Sequence, residues 1–206
     1  MGLDIGNAGG DFKPWVKYNA KAGRWYIKGE NGDVEVANPE FVADFENIQT
    51  GWFYFSAGNA PERVMDVSLS QKAPKPDRTY VDKAGNTKDC FKRGFALDVF
   101  SNHHFGGVVE LSSTSAALSV PISYLYDQYE AAPESKQGLL PVVKFVQANP
   151  VTGKHGTNYE PVFQLVKWVN RPDELQTDLS PAVETSVQPA PQPAPAPVAA
   201  SGGSEF

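Results

Sequence analysis

The alternation of apolar and polar residues predicts a mainly β protein with one helix. Trp15–Asn19 and Arg24–Gly29 are aromatic and β-branched runs around Ala20-Lys21-Ala22-Gly23, which has the length and glycine placement of a hairpin loop. Period-two alternation puts Trp15 and Lys17 on one face with Val16 and Tyr18 on the other, and sets Arg24 and Tyr26 against Trp25 and Ile27. A turn at Asn31-Gly32-Asp33 precedes Val34-Glu35-Val36, and residues 49–56 (QTGWFYFS) form an aromatic strand ended by AGNAP at 57–61. Residues 70–89 are polar, proline-broken and rich in Lys and Arg, which predicts a long surface connection. Two more strands follow at 90–101 and 108–112, joined through 102–107, and a last pair at 140–147 and 161–169 is separated by a turn at Pro150-Val151-Thr152-Gly153.

Leu118, Ile122, Leu125 and Tyr129 recur at three and four residues and give the one convincing helical stripe, with Ser112, Ser113 and Thr114 as N-cap candidates. Pro121 removes a backbone donor, so the helix either kinks there or starts there and runs through Ala131. Strands, then a helix, then two strands is the order of an OB-fold-like Greek-key barrel. A β-sandwich matches the strand count equally, and only the position of the helix favours the barrel.

Composition then divides the chain. Residues 1–172 hold all 18 Lys and Arg and 23 of the 24 aromatics, whereas residues 173–206 carry five acids, six prolines and one aromatic, Phe206. The expected organisation is a flexible leader at 1–10, one folded domain at 11–172 and a disordered, acidic, proline-rich tail at 173–206. The body has 18 cations against 19 acids, so the tail supplies most of the net charge of −6 and a polyanionic partner is not excluded. The single cysteine, Cys90, rules out an internal disulfide and a four-thiolate zinc site. With no signal-peptide pattern and no apolar run long enough to span a bilayer, the expected location is the cytoplasm.

Cations interleaved with aromatics are the main candidate chemistry: Trp15, Lys17, Tyr18, Arg24, Trp25, Tyr26 and Lys28 on the first two strands, Trp52 and Tyr54 on the aromatic strand, and Lys92 and Arg93 in the segment Phe91-Lys92-Arg93-Gly94-Phe95. Unpaired bases expose π-faces that stack on aromatic rings while cations follow the phosphates, so this pattern suits a single strand of nucleic acid. The competing reading is ordinary core and edge-strand composition, at about even odds for each residue taken alone. Lys72, Lys75 and Arg78 in the long connection could close over a bound strand. No catalytic constellation is visible: His103 and His104 are adjacent and make a poor chelate, the acids are scattered, and the glycine-rich leader lacks the Lys-Ser or Lys-Thr of a phosphate loop. The expectation is a non-enzyme without cofactor or metal.

The tail passes through Gln-Pro-Ala-Pro-Gln-Pro-Ala-Pro-Ala-Pro and ends Ser-Gly-Gly-Ser-Glu-Phe. An acid before a C-terminal Phe at the end of such a linker resembles the tip of bacterial and phage single-stranded DNA-binding proteins. That resemblance implies that Glu205 and Phe206 dock replication or repair proteins, although the tip here lacks the several consecutive acids usual in that family. The alternative is an appended linker and cloning scar. The body, through Thr50-Gly51-Trp52-Phe53-Tyr54-Phe55, Phe91-Lys92-Arg93-Gly94-Phe95 and Lys167-Trp168-Val169-Asn170-Arg171-Pro172, is similar to phage-encoded OB-fold single-stranded DNA-binding proteins of replication and recombination. The expectation is therefore a protein that coats single-stranded DNA with little sequence preference, in the host cytoplasm if phage-encoded. A carbohydrate-binding or virion structural sandwich is the rival, distinguished by binding that does not weaken with salt.

Overall fold

The computed structural model describes residues 13–56, 61–153 and 156–176. The leader and most of the tail, including Glu205 and Phe206, lie outside them. In chain order the elements are β1 (Trp15–Asn19), β2 (Arg24–Gly29), β3 (Gly32–Val36), β4 (Glu40–Ala43), β5 (Gln49–Tyr54), β6 (Glu62–Met65), β7 (Thr79–Val81), β8 (Thr87–Asp89), β9 (Lys92–Ser101), α1 (Asn102–Phe105), β10 (Gly107–Ser113), α2 (Ala116–Ala131), β11 (Leu140–Gly153) and β12 (Gly156–Val169). Ten strands form one sheet in the order β12-β11-β4-β9-β10-β1-β2-β3, with β5 pairing both β9 and β6, and β7 with β8 forms a separate two-stranded ribbon. One continuous sheet is not the two facing sheets of a sandwich.

The sheet curls, and the sequence shows why. Register shifts in the β11–β12 hairpin between Val142 and Val143 and between Phe145 and Gln147 increase local twist. The turn between β1 and β2 thereby reaches β12, where the Tyr159 N–H donates to the Ala20 carbonyl at 2.7 Å and Tyr18 Oη donates to the Tyr159 carbonyl at 3.1 Å. Burial, together with the charge of Glu160, pushes the Tyr18 phenol up to about 12. On the concave side Val16, Trp25, Phe41, Phe95, Leu97, Val99, Leu111, Val143 and Phe145 meet Leu118, Ile122, Leu125 and Tyr129 of α2 in one core.

The helical stripe is the predicted one, but α2 starts at Ala116 and carries Pro121 inside it. An interior proline costs about 3 kcal/mol, and burial of those four side chains at ~1.5–3 kcal/mol for each aliphatic one offsets it. Several expectations shift. Residues 102–107 form a helical turn capped by Ser101, whose Oγ accepts the His104 N–H at 3.3 Å, and closed by Gly106 at φ 74°. Pro150 does not end β11: the hairpin runs on to Gly153 paired with Gly156. There both strands lie beyond β4, so the missing proline N–H interrupts no inner ladder.

The domain boundary also moves. The chain divides after Gln176 rather than after residue 172, because Leu175 is buried and Arg171 forks onto the buried Asp44. The first residues of the expected tail thus belong to the body. No helix among the described residues is long and apolar enough to cross a membrane.

Candidate nucleic-acid interface

Strand alternation sorts the eleven candidate residues into three groups. Val16 faces the core, so Trp15 and Lys17 of β1 face outward. The register Val16 to Ile27, Lys17 to Tyr26 and Tyr18 to Trp25 places Tyr26, with Arg24 and Lys28, on the same outer face. Across β10, Lys92 of β9 is paired with Phe53, whose ring lies over Gly94. A Cβ on Gly94 would stand 3.0 Å from that ring and 2.4 Å from the Ser113 carbonyl. Lys92 therefore shares the outer face, and six candidates, Trp15, Lys17, Arg24, Tyr26, Lys28 and Lys92, lie on one surface.

Tyr18 and Trp25 do not. Trp25 is 1% exposed, ringed by Tyr18, Phe41, Phe145 and Phe163 with centroids 4.9–6.3 Å away. No base can reach it, and its indole N–H has no hydrogen-bond partner among the described residues. The expectation that Trp25 stacks bases is corrected, because it belongs to the core; Tyr18 is partly buried against that core.

The third group, Trp52, Tyr54 and Arg93, points to the helix side, because Trp52 pairs in register with Arg93 while Phe53 takes the outer face. These residues lock the segment after β6. Arg93 lies over the Trp52 ring at 5.3 Å and grips Asp66 at 2.8 and 2.5 Å. Trp52 Nε1 donates to the Ala73 carbonyl at 3.0 Å, and Arg78 covers Tyr54 at 4.9 Å while pairing with Glu62. A cleft of about 370 Å³ opens beside Arg93, lined by Ile48, Leu69, Phe95, Ile122 and Tyr126. It is on the side opposite the outward residues. Of the three loop cations expected to close over a ligand, Lys72 pairs with Asp66, Lys75 with Asp89 and Arg78 with Glu62.

Hydrogen bonds from Arg93 hold the Asp66 carboxyl well below the usual carboxylate range. They outweigh its burial and are aided by Thr50 Oγ1 at 2.5 Å and the Ala73 N–H at 2.8 Å. A depressed folded pKa means that the unfolded chain takes up the proton first, so this stabilisation is complete above the ordinary Asp value of about 4 and is lost as pH falls below it. The denaturation midpoint is expected to fall more steeply between pH 5 and pH 2 in the wild type than in Asp66→Asn. Parallel profiles in urea titrations would show that Asp66 contributes nothing to acid sensitivity.

Charge on the outer face is mixed. Lys17 stands 3.8 Å from Asp33, Arg24 is 2.8 Å from Glu35, Lys13 pairs with Asp98, and Arg63 forks onto Glu110 at 2.7 and 2.5 Å. Lys28 and Lys92 have no carboxylate partner among the described residues. The sequence reading missed Phe55, 47% exposed and stacked on Phe53 at 5.9 Å, and the Arg63–Glu110 pair beside it. Its own alternation with Trp52 and Tyr54 was the available signal. Comparison of the chain with known protein families, with characterised proteins and with solved structures finds no match.

Proposed function

We propose that the protein is a non-catalytic single-stranded DNA-binding protein, tolerant of sequence, whose curled sheet is an OB-fold-like barrel carrying the strand on its outer face. One observation supports this above the others: Trp15 and Tyr26, half-buried, alternate with Lys17, Arg24 and Lys28 across two paired strands on a single surface. Rings offer stacking worth ~1–3 kcal/mol per base, and the cations between them follow the phosphates. The ion pairs Lys17–Asp33 and Arg24–Glu35 are exposed, and solvent screening leaves such pairs weak, so exchanging a carboxylate for a phosphate costs little. Under this reading Glu205 and Phe206 recruit replication or repair proteins, and the setting is phage replication or recombination in the host cytoplasm.

Fluorescence anisotropy of a labelled oligo-dT of about 30 nucleotides, with the matching duplex, tests the proposal at several salt concentrations. The expected result is preference for the single strand, with log K falling against log salt by ~0.7 for each phosphate engaged, or about 3 if Lys17, Arg24, Lys28 and Lys92 all take part. Absence of binding at low salt, or salt-independent binding, overturns it.

A further inference from the structure

Among the described residues, strands β7 and β8 pair only with each other, Thr79 against Asp89, Tyr80 against Lys88 and Val81 against Thr87, and all six residues are exposed. An isolated two-stranded ribbon with water on both faces is marginally stable at best. Local bonds hold this one. The Asp82 carboxylate accepts the N–H groups of Ala84 and Asn86 at 2.9 Å each, and Gly85 turns the chain at φ 81°. At the base, the Cys90 N–H donates to the Arg78 carbonyl at 2.8 Å, while the Arg78 side chain binds Glu62 and covers Tyr54. The result is a preformed finger on an anchored stalk, whose tip leaves Tyr80 48% and Val81 67% exposed.

Charge concentrates in the same segment. Residues 71–93 hold seven of the 18 Lys and Arg but only three of the 24 acids. Lys83 has no carboxylate partner among the described residues, and Lys88 stands 4.0 Å from Asp82. β8 leads through Cys90 and Phe91 directly to Lys92, the outward cation at the start of β9. The finger thus leaves the sheet at the Lys92 end of β9, ~20 Å along β9 from Asp98, which lies in the strand row of Glu110 and Trp15, with its stalk pinned on the Tyr54 side.

We infer that the finger is a second contact for the same single-stranded DNA, with Tyr80 stacking on a base and Lys83 and Lys88 neutralising phosphates; this rests on the outer-face reading. Of the cations expected to do this from sequence, Lys75 and Arg78 instead hold the stalk and Lys72 pairs with Asp66. Exposed ring and charge at the tip, which no packing requirement explains, match a polyanion with free π-faces.

The test uses the full chain and the ~30-nucleotide oligo-dT, with the variant Tyr80→Ala/Lys83→Ala/Lys88→Ala, Tyr80→Phe, and the outer-face variant Trp15→Ala/Tyr26→Ala. The triple variant is expected to melt like the wild type, to bind at least about fivefold more weakly, and to lose about 1.4 from the salt slope, ~0.7 for each lysine. Tyr80→Phe is expected to keep wild-type affinity, because it keeps the ring. Wild-type affinity and slope in the triple variant, with weakened binding in the outer-face variant, overturn the finger and leave the sheet reading standing. Absence of binding by the wild-type chain overturns both.

Discussion

Replacing Arg171 by alanine is expected to lower the free energy of unfolding by about 3–5 kcal/mol, the usual consequence of removing one partner of a buried ion pair. Its guanidinium donates to both Asp44 oxygens at 2.6 and 2.8 Å, to Glu46 at 2.7 Å and to the Leu175 carbonyl at 3.3 Å. The Asp44 side chain is 3% exposed, and among the described residues Asn47 Nδ2, at 3.0 Å, is its only other side-chain donor. Without Arg171 a carboxylate stays in the protein interior with most of its compensation gone, and the segment carrying Leu175 is released. Urea unfolding gives the value directly. Because the charge left behind is the costly part, Asp44→Leu/Arg171→Leu is expected to be less destabilised than Arg171→Ala. A loss below about 1 kcal/mol for Arg171→Ala would show that water screens the pair like a surface one.

The second large effect concerns binding. Trp15→Ala/Tyr26→Ala is expected to weaken oligo-dT binding by about 2–6 kcal/mol, at least roughly 30-fold, since each ring stacks at ~1–3 kcal/mol. Both side chains are half-buried on the outer face, outside the core cluster, so the fold should persist. Trp25→Ala separates the two kinds of tryptophan. It empties a site in the aromatic core and should cost about 3–5 kcal/mol of stability, while whatever remains folded binds DNA as before. Anisotropy together with thermal melting reads both. A folded Trp15→Ala/Tyr26→Ala variant with wild-type affinity would move the proposed strand off this face.

The contrast between Trp25 and Tyr26 shows how far the sequence alone reaches. Alternation correctly separates Trp15 and Lys17 from Val16 and Tyr18. Adding that Val16 and Ile27 are the aliphatic partners of their strands would have assigned Tyr18 and Trp25 to the interior. Aromatic density overrode that inference. The helical stripe was legible because four large apolar residues recur at one period, and the two long final strands because their cores are nearly continuous Val, Leu and Phe. The short strands were not: β4 is four residues behind Pro39, β6 reads Glu-Arg-Val-Met, and β7 and β8 are three residues each with no buried side to mark them. Arg93 looked like a free cation because its partner, Asp66, lies 27 positions earlier, a distance over which no local pattern signals an ion pair.

The parallel pairing of β1 with β10 has a consequence for how the molecule is made. Trp15 lies beside Glu110, about 95 positions later in the chain. The first three strands can form their hairpins as soon as they leave the ribosome, but the ribbon has nothing to lie against until β9 and β10 have emerged. Its aromatic inner side must wait, uncovered, while the roughly 70 residues between Val36 and Gly107 are made. Non-local contacts of this kind slow folding into the millisecond-to-second range, and exposed strand edges during such a delay favour association with other chains. The charged residues on β1 to β3, Lys17, Arg24, Lys28, Asp33 and Glu35, keep that waiting ribbon soluble.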